Sequence, residues 1–419
     1  MKYLSILVLI VPAIMYAEGL KELMDFAVTN NHIVKSKTLI QKSKEKDIEA
    51  SKSSYYPTVD LGGYYRSLNQ KSPSIAGDTY NGYAKIGVDL YDGGRRFNTI
   101  EQNRALLDSS KYDTSSYKKG IQLSIAQDFY TIKSEEATLD ALKEEHIKLE
   151  AELKRVKKFF EVGSVTKDEV DKLQAALSGN VYNIEATKFQ ILSSKKLLSL
   201  KIGKRVTSLD DSTILKPKRV KKEVSDDINS LKSNLSSYKY LAKKINSGYL
   251  PQVSIEDTYN LYGYGRSDSS HPDGLDNQNV LLLKFNLRIF DDSSLKKQKE
   301  SVLIQKMALE NQIKQAIEAQ NINVELALSK IKTTKIQIKS AKSSLESANS
   351  AYKTIEKKYE AGSVDNVAYL DALSVKTAAK SQYEKALNNL QIAYATYYYY
   401  TNKNIKDYIK GTSNNPRYS

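Results

Sequence analysis

Two stretches of the chain have nearly the same motif: residues 159–170 read FFEVGSVTKDEV, and residues 358–369 read KYEAGSVDNVAY. Gly163 of the first stretch matches Gly362 of the second, a separation of 362 − 163 = 199 residues. The same separation pairs Asp92, in VDLYDGGRR, with Asp291, in LRIFDDSSL. A constant offset over so much of the chain is typical of an internal duplication. The sequence therefore predicts one structural unit present twice.

Heptad spacing predicts what each unit contains. Large residues recur every seven positions in the second copy, and the first copy has large residues at the matching places, with His146 as the polar exception. These positions are Val324, Ile331, Ile338, Leu345, Tyr352 and Tyr359, matched by Ile125, Ile132, Leu139, His146, Leu153 and Phe160. A stripe of this kind predicts coiled-coil packing of helices of about 65 residues, roughly 100 Å long at about 1.5 Å per residue.

The order of elements is predicted to be the same in both copies: a helix, two strands, the long helix, a tight turn and a return helix. Pro57 and Pro251 mark the entry from the first helix, about 20–55 or about 225–248, into the strands. The predicted divisions are a signal peptide at 1–17, a first repeat at 18–202 with strands near 56–66 and 80–91 and a hairpin tip near 163, a linker at 203–226, a second repeat at 227–402 with strands near 251–264 and 279–290 and a tip near 362, and a C-terminal tail at 403–419.

The N-terminal residues and the composition indicate the compartment. Lys2 precedes an apolar run from Leu4 to Ile14, and the small Ala17 closes it, as in a secretory signal peptide. The chain has no cysteine, which excludes disulfides and a lipid anchor on an N-terminal cysteine. The net charge of +15 is spread over Lys-rich helices, so we interpret it as a solvated helical surface and expect no nucleic-acid partner.

The strands alternate as membrane strands do. Ala84, Ile86, Val88 and Leu90 occupy one face of a strand, with Lys85, Gly87 and Asp89 on the other, and the same alternation runs from Leu281 to Ile289. Apolar-out, polar-in strands of about ten residues are what an outer-membrane barrel requires, although a half-buried soluble sheet alternates in the same way. The residues predicted to line the barrel lumen are Lys85, Asp89, Lys284 and Arg288.

One residue does not fit the alternation, and the number of strands is too small for one chain to close a barrel. Asp257 shares the face of Val253 and Ile255, where lipid is expected, and a β-bulge or a register error there would explain it. Four strands cannot close on themselves, and an open edge cannot face lipid. We therefore expect a barrel assembled from several chains, with four strands from each of three chains giving twelve.

Residue patterns that would indicate an enzyme are not found in the sequence. His32, His146 and His271 lie far apart in the predicted layout, and no metal-ligand cluster, phosphate-binding loop or nucleophile motif is present. The Gly93-Gly94 pair lacks the spacing of a phosphate loop and fits a strand-to-helix turn better. The expectation is a protein without catalytic residues, cofactor or metal.

Taken in order, these motifs resemble the TolC-type outer-membrane factor family. The matching features are the two prolines at the helix-to-strand entries, LYDGGRR at the strand-to-helix turn, and the two Glu-x-Gly-Ser-Val hairpins; His32 stands where the family commonly has proline. The resemblance implies an α+β membrane protein: a trimeric twelve-stranded β-barrel, continued by a long α-helical coiled-coil tunnel. It also implies a Gram-negative outer membrane, with the tunnel extending into the periplasm, and as partners two further copies of the chain, a periplasmic adaptor, an inner-membrane pump and outer-membrane lipid.

The resemblance further implies roles for residues of the hairpins. The tips, with Gly163, Ser164, Gly362 and Ser363, are expected to dock the adaptor, although both glycines also suit a plain helix end. Asp371 aligns with an acidic position of the family's periplasmic gate. The other frequent acidic position is Ala368 here, and a frequent basic partner is Val364, so a double ionic ring is not implied.

Asp371 and the function of the protein each have two possible interpretations. Lys172 occupies the place of Asp371 in the first copy, which suggests either an ionic neighbour or a plain solvent-facing position for Asp371. The predicted function is a passive duct of a tripartite efflux pump or a type I secretion system. The alternative is a periplasmic coiled-coil structural or adaptor protein, against which the duplicated strand pairs argue. The sequence does not specify the cargo.

Overall fold

The computed structural model describes residues 18–70, 76–218, 221–265 and 275–410 of the chain. The predicted signal peptide at 1–17, His271, and parts of the predicted polar loops and tail lie outside these described residues.

Seven α-helices and six strands follow one another in the described residues in an order that is nearly repeated. The first half contains α1 (Leu20–Asn30), α2 (His32–Ser53), β1 (Thr58–Ser67), β2 (Asp78–Tyr91), α3 (Arg95–Glu161), α4 (Lys167–Ile202) and the short β3 (Thr213–Ile214). The second half contains α5 (Asp226–Asn246), β4 (Gln252–Gly265), β5 (Asn277–Asn286), α6 (Ser294–Glu360), α7 (Asn366–Tyr400) and the short β6 (Ile409–Lys410).

The lengths of the long helices reproduce the duplication to within one residue. Helices α3 and α6 each have 67 residues, and helices α4 and α7 have 36 and 35. The predicted heptad stripe is buried in part. Five of its twelve residues are buried (Ile125, Ile132, Leu153, Ile331 and Tyr352), six are half-buried, and Phe160 is 44% exposed. Among the described residues, no helix is both long enough and apolar enough to span a membrane.

The strand-to-helix turns explain why the aspartates recur. In the first copy the Asp92 carboxylate accepts hydrogen bonds from the backbone N–H of Gly94 at 3.0 Å and of Arg96 at 2.8 Å. In the second copy the Asp291 carboxylate accepts one from the backbone N–H of Leu295 at 3.0 Å. Both aspartates thus satisfy N–H groups that the first turn of a helix leaves without partners.

The chain divides into two compact units, and one of them (residues 37–113 and 227–316) contains the four-stranded sheet. The sheet is antiparallel with strand order β1-β2-β4-β5, so β1 and β5 are its edges. The hairpin of the first copy therefore pairs with the hairpin of the second copy through β2 and β4. A small apolar cluster around Ile228, Leu309 and Ile313 packs α5 against α6.

The other unit (residues 1–36, 114–226 and 317–419) contains the largest apolar cluster. Helix α1 contributes Leu20 and Leu23, α3 contributes Phe129, and the end of α7 contributes Tyr398. The Tyr398 ring stacks on Tyr408 at 3.9 Å between ring centres, and burial is the main reason why the pKa of Tyr398 rises to about 12. Strands β3 and β6 pair beside this cluster.

Three boundaries differ from the predictions. The single predicted helix at 20–55 is broken at Asn31, because its side chain accepts hydrogen bonds from the backbone N–H groups of Ile33 and Val34 and so starts a new helix. Strand β5 ends at Asn286, so Arg288 lies beyond the strand on which it was predicted. Residues 403–410 of the predicted tail are folded: they form a short 3₁₀ helix and then β6.

Candidate functional site: strand faces and hairpin tips

The polar face of the sheet contains three of the four predicted lumen residues. Lys85 lies opposite Thr258 and next to Asp60 on the neighbouring strand, with 3.8 Å between Lys85 Nζ and Asp60 Oδ2. Lys284 forms an ion pair with Glu256 at 2.6 Å. Asp89 shares the strand and the face of Lys85 and pairs with Arg95 at 3.6 Å. The face is thus lined by paired charges of both signs.

The opposite face of the sheet is apolar and largely exposed in the described part of the chain. Val59, Ile86, Ile255 and Leu283 lie on this face by the strand register. The Val59 side chain is 70% exposed and that of Leu283 is 65% exposed. A contiguous exposed apolar surface of this kind indicates a partner or a lipid phase.

Asp257 is the exception on the apolar face, as the sequence suggested. It lies directly between Ile86 of β2 and Leu281 of β5, in continuous register, so neither a β-bulge nor a register error explains its position. The irregularity in the β2–β4 pairing falls instead between Asp89 and Tyr91. One Asp257 carboxylate oxygen is inaccessible to solvent and has no hydrogen-bond partner among the described residues.

The two hairpin tips have the same backbone geometry. Gly163 and Gly362 adopt φ values of 74° and 73°. In each tip the glycine N–H bonds to the carbonyl three residues earlier, and the following serine N–H bonds to the carbonyl five residues earlier, with lengths of 2.8 to 3.0 Å. This is the Schellman ending of a helix, which needs a left-handed residue. A Cβ at either glycine would meet nothing within 4 Å, so conformation alone requires glycine there.

The tips are exposed and lie close to one another. Ser164 and Ser363 are both solvent-exposed. Asn366, at the start of α7, is buried and donates a hydrogen bond to the Glu169 carbonyl of α4 at 3.1 Å. This contact joins the starts of the two return helices, one from each copy of the repeat.

Asp371 is exposed on α7 and lines a cavity of about 840 Å³ together with Lys172 of α4. The Lys172 ammonium pairs with Asp168 of its own helix at 3.1 Å. The two residues thus share a surface, but in this chain the lysine has another carboxylate as its partner.

Sequence reasoning did not identify a tyrosine cluster above the second tip. Tyr359 and Tyr369 stack with 4.9 Å between ring centres, and the Tyr352 hydroxyl donates to Glu356 at 2.6 Å. Glu356 also pairs with Lys148 of α3 at 3.1 Å, which connects the two hairpins. Burial raises the pKa values of all three tyrosines, so their hydroxyls stay protonated. A comparison of the two copies could have identified the cluster, because the first copy has Leu153, Phe160 and Val170 where the second has the three tyrosines.

A second polar group was also missed, in the core of the first hairpin. Asn180 of α4 is 4% exposed and donates to Glu145 at 3.0 Å and to the Leu142 carbonyl at 3.1 Å. Its side-chain oxygen lies 3.2 Å from His146 Nδ1, so His146 is a contact residue of the hairpin core. The second copy has Ala379 where the first has Asn180, which marks the site in the sequence.

Comparisons with known proteins agree with this architecture. The chain matches the outer membrane efflux protein family model twice, over residues 23–203 and 222–402. A search of the curated proteins gave no match.

Solved structures with a similar fold are outer-membrane channels. The Campylobacter jejuni CmeC outer membrane channel is similar with a TM-score of 0.79 and 16% identity, covering 91% of this chain and 85% of that one. The channel-forming protein CusC has a TM-score of 0.78 and 16% identity over 92% of both chains. The outer membrane protein VceC from Vibrio cholerae has a TM-score of 0.78 and 11% identity, covering 92% of this chain and 96% of that one.

The family match covers both copies of the duplicated unit and favours an export protein over the coiled-coil adaptor considered as the alternative. The chain belongs to the outer membrane efflux protein family and acts in efflux at the outer membrane.

Proposed function

We propose that three copies of this chain form one export duct, a twelve-stranded barrel continued by the helical hairpins, which serves a tripartite efflux pump or a type I secretion system. The observation that supports this most is the sheet of four strands with two uncovered edges, β1 and β5. An uncovered strand edge cannot face lipid, because its N–H and C=O groups would have no partners. Pairing β5 of one chain with β1 of the next removes every edge.

The face polarity supports the same assembly. The apolar face with Val59 and Leu283 would contact lipid, and the charged face with Lys85, Asp89 and Lys284 would line the lumen. Because Lys85 and Lys284 each lie beside a carboxylate, the barrel is expected to select only weakly between cations and anions. Arg288 lies beyond β5 and belongs, in this proposal, to the rim of the lumen.

Edge pairing can be tested by cross-linking, since the chain has no native cysteine. Cysteines replace Leu61 in β1 and Leu283 in β5, which both lie on the apolar face, and a short bis-maleimide is added to the detergent-extracted protein. The expected product is a ladder that ends at three chains. The control pairs Leu61→Cys with a cysteine at Leu370 on α7, and it should give no ladder. Products that continue beyond three chains, or monomers alone, would refute the proposed closure.

The hairpin tips are proposed as the docking surface for the adaptor. Both tips are exposed and keep the same Schellman geometry, so they present the same backbone shape twice per chain. Charged, bulky replacements at Ser164 and Ser363 should abolish export without loss of the trimer. The same replacement at Ser178, which is exposed further along the return helix α4, is the control. Normal export by the tip variants would exclude docking there.

Asp371 is proposed as the acidic ring of the periplasmic gate. Its exposure on α7 leaves the carboxylate available to the threefold axis, where three copies would attract cations. Asp371→Asn should reduce cation selectivity and block by divalent cations in planar bilayers. Asp171→Asn, an exposed aspartate at nearly the same height of α4, is the matched control. Unchanged selectivity and unchanged block in Asp371→Asn would remove Asp371 from the gate.

A further inference from the structure

The cavity lined by α3, α4 and α7 contains a carboxylate that nothing in the proposed duct requires. Glu145 of α3 and Asp371 of α7 both line this space of about 840 Å³, which is within the range of ligand pockets in proteins. Most of the remaining lining is apolar or small: Leu142, Leu149, Ala176, Val367, Leu370 and Ala378.

Neither carboxylate has a cationic partner among the described residues, and Lys172, the lysine that lines the same cavity, pairs with another carboxylate. Among the residues that the structure describes, no ion pair involves Glu145 or Asp371. Lys172 pairs with Asp168 at 3.1 Å, and Lys148 pairs with Glu356 at 3.1 Å. The lining therefore has two carboxylates and one lysine, and because this lysine is paired with Asp168, negative charge remains that the described residues do not neutralise.

Glu145 is held in place from one side only. The Asn180 side-chain amide has two N–H donors: one donates to Glu145 Oε2 and the other to the Leu142 carbonyl. Asn180 therefore cannot donate a second hydrogen bond to the Glu145 carboxylate. Burial raises the pKa of Glu145, and the hydrogen bond from Asn180 offsets this only partly. A half-buried carboxylate in this situation gains from a cation that enters the cavity.

We propose that the cavity between α3, α4 and α7 is a binding site for a hydrophobic cation, whose charge lies at Glu145 and whose apolar body contacts the leucines and alanines of the walls. Charge separates this ligand class from neutral and anionic molecules of the same shape. The site lies within one chain, so it does not require the trimer. It shares Asp371 with the proposed gate, and the test of the site therefore rests on Glu145.

The test compares two probes of nearly the same shape and opposite charge, tetraphenylphosphonium and tetraphenylborate, on the full-length protein in detergent. Equilibrium dialysis, with empty micelles as background, should show saturable binding of one tetraphenylphosphonium per chain and no saturable binding of tetraphenylborate. Glu145→Gln should weaken the cation at least tenfold. Glu144→Gln is the matched control, because Glu144 is the adjacent residue and already pairs with Lys380.

A second variant tests the location without changing charge. Gly179 lines the cavity, and a side chain there would meet open space, so Gly179→Leu should fill the site and prevent binding. Gly120→Leu, also open but outside the cavity, should bind normally. Equal binding of both probes, or undiminished binding by Glu145→Gln or Gly179→Leu, would overturn the proposal. Because conductance is measured separately, failure here is distinguishable from failure of the duct.

Discussion

The two helical hairpins of the molecule have the same backbone geometry and different interiors. Helices α3 and α6 have equal length, and both tips end in a left-handed glycine. Yet the first hairpin has a polar core group at Asn180, where the second has Ala379, and the second has a tyrosine cluster where the first is apolar. The strand-to-helix turns differ as well: Gly93 and Gly94 in the first copy correspond to Asp292 and Ser293 in the second.

This difference shows which features are the same in both copies because the fold requires them. Helix length, heptad spacing and turn conformation determine where the chain goes, and they agree in both copies. Core chemistry is free to vary once volume and burial are kept. The asymmetric groups are therefore where the two hairpins can acquire different functions, and substitutions at these groups test how far the asymmetry extends.

The largest effect is expected at the turn of the first copy. Gly93 has a φ of 67°, and a Cβ there would lie 2.7 Å from both the Ser247 carbonyl and the Leu250 Cβ. Gly93→Ala combines left-handed strain with a steric clash and should destabilise the protein by about 3 kcal/mol. Gly94→Ala, which has a φ of 82° and no contact closer than 3.7 Å, should cost only about 1 to 2 kcal/mol.

Denaturant unfolding in detergent measures this pair. Equal effects of the two alanines would show that the clash at Gly93 is relieved by backbone movement. In the second copy Asp292 and Ser293 have φ values of 50° and 61°. Residues other than glycine can therefore adopt the left-handed backbone conformation at this turn when no steric clash is added.

The second effect concerns the polar core of the first hairpin. Asn180→Ala introduces the residue of the second copy but leaves Glu145 and His146 without their partner, so it should destabilise by about 2 kcal/mol. The triple variant Glu145→Ser, His146→Leu, Asn180→Ala converts the whole group to the second-copy residues and should recover most of the loss. A triple variant no more stable than Asn180→Ala would mean that the group is not a self-contained unit.

The third effect tests the face assignment of the sheet. The proposal places Asp257 toward lipid and Glu256, its neighbour on β4, toward the lumen. Asp257→Leu should therefore stabilise the assembled protein by about 1 kcal/mol. Glu256→Leu should destabilise it, because Lys284 loses its partner. The temperature at which the detergent-extracted complex dissociates ranks the stabilities of the two variants. If Glu256→Leu is the more stable of the two, the lipid-facing and lumen-facing sides of the sheet are the reverse of those proposed.

The smallest effect is a pH dependence confined to the first hairpin. Burial raises the folded-state pKa of Glu145 above its unfolded value, so the folded state binds the proton more tightly. Stability due to Glu145 should increase as pH falls from neutral through the raised folded-state pKa toward the unfolded value. Glu145→Gln should lack this gain, while Glu144→Gln should keep it. Parallel pH profiles for wild type and Glu145→Gln would contradict the assigned burial.

Much of the fold could be predicted because its determinants are periodic or local. Offsets of 199 residues, the heptad stripe, and a capping aspartate before each long helix are all visible in one chain. The break at Asn31 was not predicted, because its amide also donates to the Lys201 carbonyl of α4 at 2.7 Å, a contact 170 residues away. The group around Asn180 likewise depends on which residues of α3 and α4 face each other.

The predicted end of β5 lies beyond its observed end for a related reason. Alternation continues through Ile289 in the sequence, but ladder pairing with β4 stops at Asn286, opposite Gln252, where β4 begins. Side-chain pattern shows which face a residue would occupy, and only the partner strand shows where pairing ends. Arg288 was assigned to the lumen on pattern alone.

The central claim, that one chain supplies a third of a closed barrel, is tested most directly by the mass of the detergent-extracted complex. Native mass spectrometry, with detergent removed in the gas phase, counts the chains without reference to any model of their contacts. The account predicts a single species of three chains, because four strands with two uncovered edges reach twelve strands at that number. A stable species of one, two or four chains would contradict it.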